Sequence, residues 1–145
     1  MYPNAVKQKR IIFEELLRSA GFKATPQRLT LLDVLSKESR PLTVSDLKTK
    51  LPDVDQVTIY RALEALAAKD IVRKVDTKHA YTHYELVATK AHHHHAICAS
   101  CGRIEDVDLC LPSTLEKEVL GGLQNFASIT GHSLEFIGRC KHCIK

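Results

Sequence analysis

The sequence predicts an α+β protein made of two domains, and three observations support this prediction. Residues 1–85 carry 15 Lys and Arg against 11 Asp and Glu, a net charge of +4, whereas residues 86–145 carry six of each. All five cysteines and six of the eight histidines lie in the second part. Helical periodicity and two short strand patterns fill the first part, and strand patterns around one helix fill the second. The expected domains are 1–86 and 92–145, joined by a hinge at 87–91.

The composition excludes several classes of protein. The chain has 145 residues, 44% of them hydrophobic, which is enough to bury a core and argues against intrinsic disorder. No apolar run approaches the roughly 20 residues of a membrane-spanning helix, and the first residues lack the apolar core of a signal peptide. We therefore expect a cytoplasmic protein without membrane association, in which paired cysteines are metal ligands more often than disulfides.

Capping signals mark the helices of the first domain. Thr25 can cap a helix whose first residue is Pro26. Thr43 can cap a third helix with Asp46 as its capping-box partner, and Asp55 a fourth that reaches about residue 69. The apolar positions with helical period are Ile11, Ile12, Leu16 and Leu17 in a first helix ending near Gly21, then Leu29, Leu32 and Leu35, then Leu47 and Leu51, and finally Ile59, Leu63 and Leu66.

The fourth helix and the strands after it make the first domain a candidate DNA-binding module. Two strands, at about 71–75 and 80–86, complete the order of a winged helix-turn-helix, whose last helix enters the major groove. The apolar arc of the fourth helix leaves Thr58, Tyr60 and Arg61 facing outward, and a solvated helix face is the alternative to a DNA contact. The candidates to contact phosphates or base edges are Arg28, Tyr60 and Arg61.

The second domain contains one helix among strands. Residues 92–98 have the pattern of a strand, and a helix of about ten residues begins at Pro112 and Ser113. A final strand or bent pair of strands covers about 129–137. The helix residues expected to face inward are Leu115, Val119 and Leu123.

Four cysteines give the strongest chemical signal. Cys98 and Cys101 form one C-x-x-C pair, and Cys140 and Cys143 form another. Two such pairs supply the four thiolates of a closed tetrahedral zinc site, which stabilises a fold and leaves no position open for a substrate. Redox pairs of the thioredoxin type are the alternative, disfavoured because neither pair begins a helix after a strand. The remaining cysteine, Cys110, is expected to be a small buried apolar residue.

A run of four histidines, His92 to His95, gives a second signal. On a strand, His92 and His94 share one face while His93 and His95 share the other. The run can therefore serve two separate metal sites with ligands that suit divalent zinc, iron, manganese or nickel, although an incidental surface run is the alternative. Further candidate ligands are His79, His83, Glu85, Asp106, Glu116 and His132.

Together these residues resemble the ferric uptake regulator family of metal-dependent repressors over nearly the whole chain. The resemblance implies an N-terminal winged helix-turn-helix domain, a C-terminal α/β dimerisation domain, and a homodimer on a palindromic operator in double-stranded DNA. It also places Tyr60 and Arg61 on the recognition helix, with Arg28 and Lys23 at the DNA backbone or minor groove. The matching segments are residues 24–28, 57–63, 84–86, the histidine run with Cys98-x-x-Cys101-Gly102, and residues 132–135 leading to Cys140-x-x-Cys143.

The same resemblance implies two metal sites besides the structural zinc. Many iron-sensing members place a histidine just before the third helix, where this chain has Arg40. His83, or failing that His79, is expected to replace that ligand from the hairpin. The regulatory ligands are then His83, Glu85, His93, His95 and Asp106, and those of the second site are His92, His94, His132 and Glu116, with Glu118 as the substitute if the helix register differs.

The missing histidine favours Zn²⁺ over Fe²⁺ as the sensed ion, and Mn²⁺ is also compatible. Asp106 is the residue type of peroxide-sensing relatives, so a peroxide sensor is one alternative. A zinc-ribbon adaptor that binds nucleic acid or protein constitutively is another. We expect neither an enzyme nor a small organic substrate, because the paired signature of zinc deaminases is absent from the sequence.

Overall fold

The computed structural model describes residues 3–77, 79–87, 93–109 and 112–144. The chain divides into two compact units, Met1–Lys90 and Ala91–Lys145. Residues 88–91 of the predicted hinge lie outside the described residues, as do His92 and Cys110. Among the described helices, none is both long and apolar enough to cross a membrane.

The predicted helix caps of the first unit are confirmed. Thr25 and Asp55 each accept a hydrogen bond from the backbone N–H three residues later. Thr43 and Asp46 form a reciprocal capping box. These contacts satisfy backbone donors that a helix start otherwise leaves unpaired. The helices are α1 (Pro3–Ser19), α2 (Pro26–Lys37), α3 (Val44–Lys50) and α4 (Gln56–Ala67).

The buried face of α1 includes only part of its periodic apolar set. Phe13 and Leu17 are buried, whereas Ile11 and Ile12 are 54% and 52% exposed. At about 100° per residue, these two isoleucines lie roughly 120–140° around the helix from Leu17, which places them outside the buried face. Gly21, at φ +85°, ends the helix in a left-handed turn.

A three-stranded antiparallel sheet completes the first unit. Its strands are β1 (Leu42–Thr43), β2 (Val72–Val75) and β3 (His83–Leu86), in the order β1-β3-β2. The β2–β3 hairpin sets Arg73 opposite Glu85. The next pair, Lys74 and Tyr84, therefore lies on the other face of the sheet.

The hydrophobic core lies in the first unit. It fills the space between the helices and one face of the sheet, and α4 contributes the three residues predicted for it. Its buried members are Phe13, Leu17, Leu29, Leu31, Leu32, Leu35, Leu42, Leu47, Leu51, Ile59, Leu63, Leu66, Ile71, Val72, Tyr84 and Leu86.

The second unit is a small α/β unit. Its elements are β4 (His94–Cys98), β5 (Ile104–Val107), α5 (Ser113–Gly121) and β6 (Glu135–Gly138). The strand order is β5-β4-β6, with β5 antiparallel and β6 parallel to β4. The final strand is thus much shorter than the predicted 129–137.

The predicted inward face of α5 is wrong for the single chain. All nine residues of α5 belong to the described part of the chain, and none is buried. Val119 is 49% exposed, and the four residues of β6 are exposed as well. The physical reason is that, among residues 93–109 and 112–144, the apolar side chains are too few to cover this helix and strand. An apolar surface therefore remains on the outside of the chain.

Candidate functional sites

Two tight turns bring the four cysteines together. Cys98 ends β4, and the backbone N–H of Gly102 donates to its carbonyl oxygen at 2.9 Å. Gly102 has φ +72°, a conformation that a side chain would strain. A second turn is closed by the backbone N–H of Cys143, which donates to the carbonyl of Cys140 at 2.9 Å. Each turn thereby points two sulfurs to one place.

The geometry of the cysteine cluster fits a zinc ion. The four Sγ atoms lie within 4.8 Å of one another, and those of Cys101 and Cys140 are 3.7 Å apart. Tetrahedral ligation at a Zn–S distance of about 2.3 Å requires sulfurs about 3.8 Å apart. The backbone N–H of Cys140 donates to Sγ of Cys98 and lowers the pKa of that thiol to about 6. Hydrogen bonding with Cys140 raises the pKa of Cys143 to about 12.

A second cluster in the same unit contains two histidines and an aspartate. His95 lies directly opposite Asp106 in the β4–β5 pair, and His93 precedes it by two residues. The Nε2 atoms of His93 and His95 lie 4.0 and 3.7 Å from Oδ1 of Asp106. These distances exceed hydrogen-bond length. Tetrahedral ligand atoms each about 2.1 Å from one ion lie about 3.4 Å apart, so a contraction of roughly 0.3–0.6 Å would bring the three atoms to ligand spacing. The arrangement suits a divalent ion with imidazole and carboxylate ligands.

A third cluster lies on the opposite face of β4. The Nε2 atoms of His94 and His132 are 3.2 Å apart, and their rings stack with centroids 5.1 Å apart. The other ring nitrogen of His132, Nδ1, lies 2.8 Å from Oε1 of Glu116. The structure therefore brings Glu116, rather than Glu118, to His132. The predicted partner His92 lies outside the described residues.

The other predicted regulatory ligands, Glu85 and His83, lie on β3 of the first unit. They are two residues apart and so share one face of the strand. Nε of Arg73 donates to Oε1 of Glu85 at 2.8 Å, and Nη2 contacts the same oxygen. Burial lowers the pKa of His83, whose Nδ1 lies 3.2 Å from the carbonyl oxygen of Tyr81.

Two other residues bear on the missing family histidine. Arg40, which stands in its place, lies 3.8 Å from the carboxylate of Asp46. A cationic side chain cannot ligate a metal ion, so this position supplies no ligand. His79 lies in the loop between β2 and β3, where its backbone N–H donates to the hydroxyl of Thr77 at 3.4 Å.

Three of the predicted DNA-contacting residues line one cleft of about 300 Å³ between α2 and α4, namely Arg28, Thr58 and Arg61. Nη1 of Arg28 donates to the carbonyl of Lys23 at 3.0 Å, which fixes the guanidinium beside an exposed lysine. Tyr60 projects from α4 and is 50% exposed. Thr58 is half-buried, and its hydroxyl donates to the capping residue Asp55.

A hydrogen-bond network between the hairpin and α4 was not predicted from the sequence. The hydroxyl of Tyr84 donates to Oε1 of Glu64 at 3.0 Å, and Nζ of Lys74 donates to Oε2 at 2.7 Å. The ion pair of Arg73 with Glu85 was not predicted either. Opposite charges directly across a hairpin can indicate such an ion pair, but they can be recognised only when the strand register is known.

Both the sequence and the fold of this chain are similar to those of known proteins. The model of the ferric uptake regulator family matches residues 19–137. Ferric uptake regulation protein 1 of Mycolicibacterium fortuitum is 36% identical over 99 residues, which are 66% of this chain and 61% of that protein. The peroxide operon regulator of Bacillus subtilis is 30% identical over 135 residues, 90% of each chain. The crystal structure of the Vibrio cholerae ferric uptake regulator gives a TM-score of 0.71 at 29% identity, covering 88% of this chain and 98% of that one. The chain belongs to the ferric uptake regulator family.

Proposed function

We propose that this chain is a metal-responsive transcriptional repressor with a DNA-binding domain (1–86), a hinge (87–91) and a metal-binding dimerisation domain (92–145). Members of the family are transcription regulators that bind DNA and act as dimers. One observation carries the proposal. Strand β4 and the residue just before it hold His93 and His95 against Asp106 on one face and His94 against His132 on the other, while the last residue of β4 belongs to a separate four-cysteine cluster.

The cysteine cluster is proposed to hold a structural Zn²⁺. Cys98 ends β4 and Cys101 lies in the turn after it, while Cys140 and Cys143 follow β6, so one ion would tie together the ends of two paired strands. The spacing of the sulfurs supports this ion. Four protein ligands complete its coordination, and it would therefore stabilise the fold rather than bind a substrate.

The regulatory site is proposed to combine His93, His95 and Asp106 of the second domain with Glu85 and His83 of the first. The family resemblance supports the two first-domain ligands, and His83 is preferred to His79 because it shares the strand face of Glu85. When bound, Zn²⁺, Fe²⁺ or Mn²⁺ supplies a link between the two domains. The affinity of this chain for DNA would then rise, because a coupling free energy of about 1–3 kcal/mol would connect the metal site and the DNA-binding site.

In the second metal site, we assign different tasks to the histidines and to Glu116. His94 and His132 face each other through Nε2, whereas Glu116 contacts the opposite nitrogen of His132. A carboxylate in that position fixes the ring orientation of a metal-binding histidine. His94, His132 and the undescribed His92 are therefore the proposed ligands, and Glu116 is proposed to orient His132.

A homodimer on a palindromic operator completes the proposal. Exposed apolar residues of α5 and β6 supply a surface for a second copy. Two recognition helices related by a two-fold axis read two half-sites of opposite orientation. In each half-site, Lys23 and Arg28 would contact the DNA backbone or minor groove, and Thr58, Tyr60 and Arg61 the major groove.

Selection of DNA sequences tests this function. Duplexes would be selected from random-sequence DNA with zinc-loaded protein, and affinity for the selected duplex measured by fluorescence anisotropy with and without a mild chelator. We expect selected sequences with two-fold symmetry and a loss of affinity of about 10-fold or more on chelation. His93→Ala and His95→Ala should abolish the metal dependence, while His142→Ala, an exposed histidine outside both histidine clusters, should retain it.

Equal DNA affinity with and without metal in a protein that retains its structural zinc would contradict the proposal and favour a constitutive adaptor. A peroxide sensor is a second candidate, favoured by the carboxylate of Asp106 and by the similarity to the peroxide operon regulator. That function would show itself as an oxygen atom added to His93 or His95, together with lost DNA binding, after hydrogen peroxide treatment of iron-loaded protein.

A further inference from the structure

The ion pair between Arg73 and Glu85 involves a proposed metal ligand. The two residues lie directly opposite each other in the β2–β3 hairpin. Both contacting nitrogens of Arg73, Nε and Nη2, reach the same carboxylate oxygen, Oε1 of Glu85. The guanidinium therefore already donates charge-assisted hydrogen bonds to a carboxylate that a metal ion would need.

Arg73 also places a fixed positive charge beside this ligand. Arginine stays protonated at all physiological pH values. A divalent ion bound by Glu85 would be repelled by the guanidinium, and an ion bound at Oε1 would also have to replace the hydrogen bonds from Arg73. The Arg73 side chain is 42% exposed, so it can turn toward water when the carboxylate is taken.

We propose that Arg73 is a built-in competitor of the regulatory metal ion, an inference that rests on the proposed function of Glu85. In the metal-free chain the guanidinium holds the carboxylate of Glu85, and binding of the ion displaces it. Arg73 thereby raises the metal concentration at which the repressor responds. It affects metal affinity without being a metal ligand.

The neighbouring residue offers a matched control. Lys74 is also basic and lies on the same strand, but its ammonium pairs with Glu64 on the other face of the sheet. Lys74→Gln and Arg73→Gln change the net charge of the chain equally. A general charge effect would therefore appear in both variants, and displacement at Glu85 only in the second.

The experiment is a Zn²⁺ titration of the 145-residue chain with its tightly held zinc retained, in competition with a chromophoric chelator. We expect Arg73→Gln to bind the reversible zinc about 10-fold tighter than the wild type, and Lys74→Gln to stay within about twofold. Arg73→Lys retains the positive charge and serves as a second variant should Arg73→Gln fail to fold. Its zinc affinity should lie between those of the wild type and Arg73→Gln. Glu85→Gln should bind the reversible zinc more weakly than the wild type. The double variant with Arg73→Gln should bind it no more tightly than Glu85→Gln alone.

The outcomes separate this inference from the function beneath it. If Glu85→Gln weakens zinc binding but Arg73→Gln leaves it unchanged or weaker, the inference about Arg73 is overturned and the proposed regulatory site stands. If Glu85→Gln leaves reversible zinc binding unchanged, Glu85 is not a ligand, and both statements are overturned. Tighter binding by Arg73→Gln alone, abolished in the double variant, supports both.

Discussion

Tyr84→Phe tests the link between the hairpin and the recognition helix. The Tyr84 ring is 2% exposed, and its hydroxyl donates to Oε1 of Glu64 on α4. Phenylalanine fills the same space, so the substitution removes one hydrogen bond and creates no cavity in the core.

The loss in the free energy of unfolding depends on the contacts that Glu64 retains in the variant. A hydrogen bond to a charged group contributes about 1.5–3 kcal/mol. Glu64 keeps its bond to Lys74, and its side chain is 33% exposed, so water can take the place of the lost hydroxyl. We therefore expect Tyr84→Phe to lower the free energy of unfolding by about 1–1.5 kcal/mol. Tyr81→Phe, at a tyrosine of the same hairpin that is 70% exposed, should change it by less than about 0.5 kcal/mol.

Urea unfolding at pH 7.5, followed by far-ultraviolet circular dichroism, measures both variants. Burial and the bond to Glu64 raise the pKa of Tyr84, so its contribution is complete below the unfolded pKa of about 10 and is lost only as the pH rises through the folded value. In a Glu64→Gln background the effect of Tyr84→Phe should shrink. Equal losses for the two tyrosine variants, or an undiminished loss in that background, would refute the assigned hydrogen bond.

Three further predictions concern the hydrophobic core, the loss of stability at low pH and the zinc cluster. Leu63→Ala, at a fully buried position of α4, should cost about 2–5 kcal/mol in urea unfolding, while Val57→Ala on the exposed side of that helix should not. Hydrogen bonding from Lys74 lowers the pKa of Glu64, so its stabilisation is present above the unfolded pKa of about 4.3 and is lost as the pH falls through the folded value; Glu64→Gln should therefore flatten the acid limb of the stability curve. Cys140→Ser should lose the tightly held zinc by elemental mass spectrometry and, by size-exclusion chromatography, the dimer; a zinc-free variant that remains a folded dimer would contradict a structural site.

The features predictable from the sequence are those that depend on neighbouring residues. The caps at Thr25, Thr43 and Asp55 need only a side-chain oxygen three residues before a backbone donor, and each forms as predicted. The alternation of His93 and His94 between two faces of β4 follows from the pleat alone. Local chemistry and strand geometry were sufficient for these predictions.

The features that the sequence could not predict depend on register or on other surfaces. Whether Glu116 or Glu118 reaches His132 depends on the rotation of α5 about its own axis within its unit. The pairing of Arg73 with Glu85 depends on where the hairpin turns. The apolar side chains of α5 have the pattern of a buried helix, but in a single chain the described residues of its unit do not cover them.

The sparse interior of the second unit has a consequence for the lifetime of the protein. Its buried side chains among residues 93–109 and 112–144 are three histidines, His93 to His95, and only Ile97, Cys98 and Ile104 besides. A unit so small must gain stability from bound ions and from a second copy, and each tenfold rise in either concentration above its Kd adds about 1.4 kcal/mol. The folding equilibrium of this unit therefore depends on both the protein concentration and the metal concentration in the cell. In a metal-starved cell we expect faster proteolytic turnover of the chain, so that repressor abundance falls together with its occupancy of DNA.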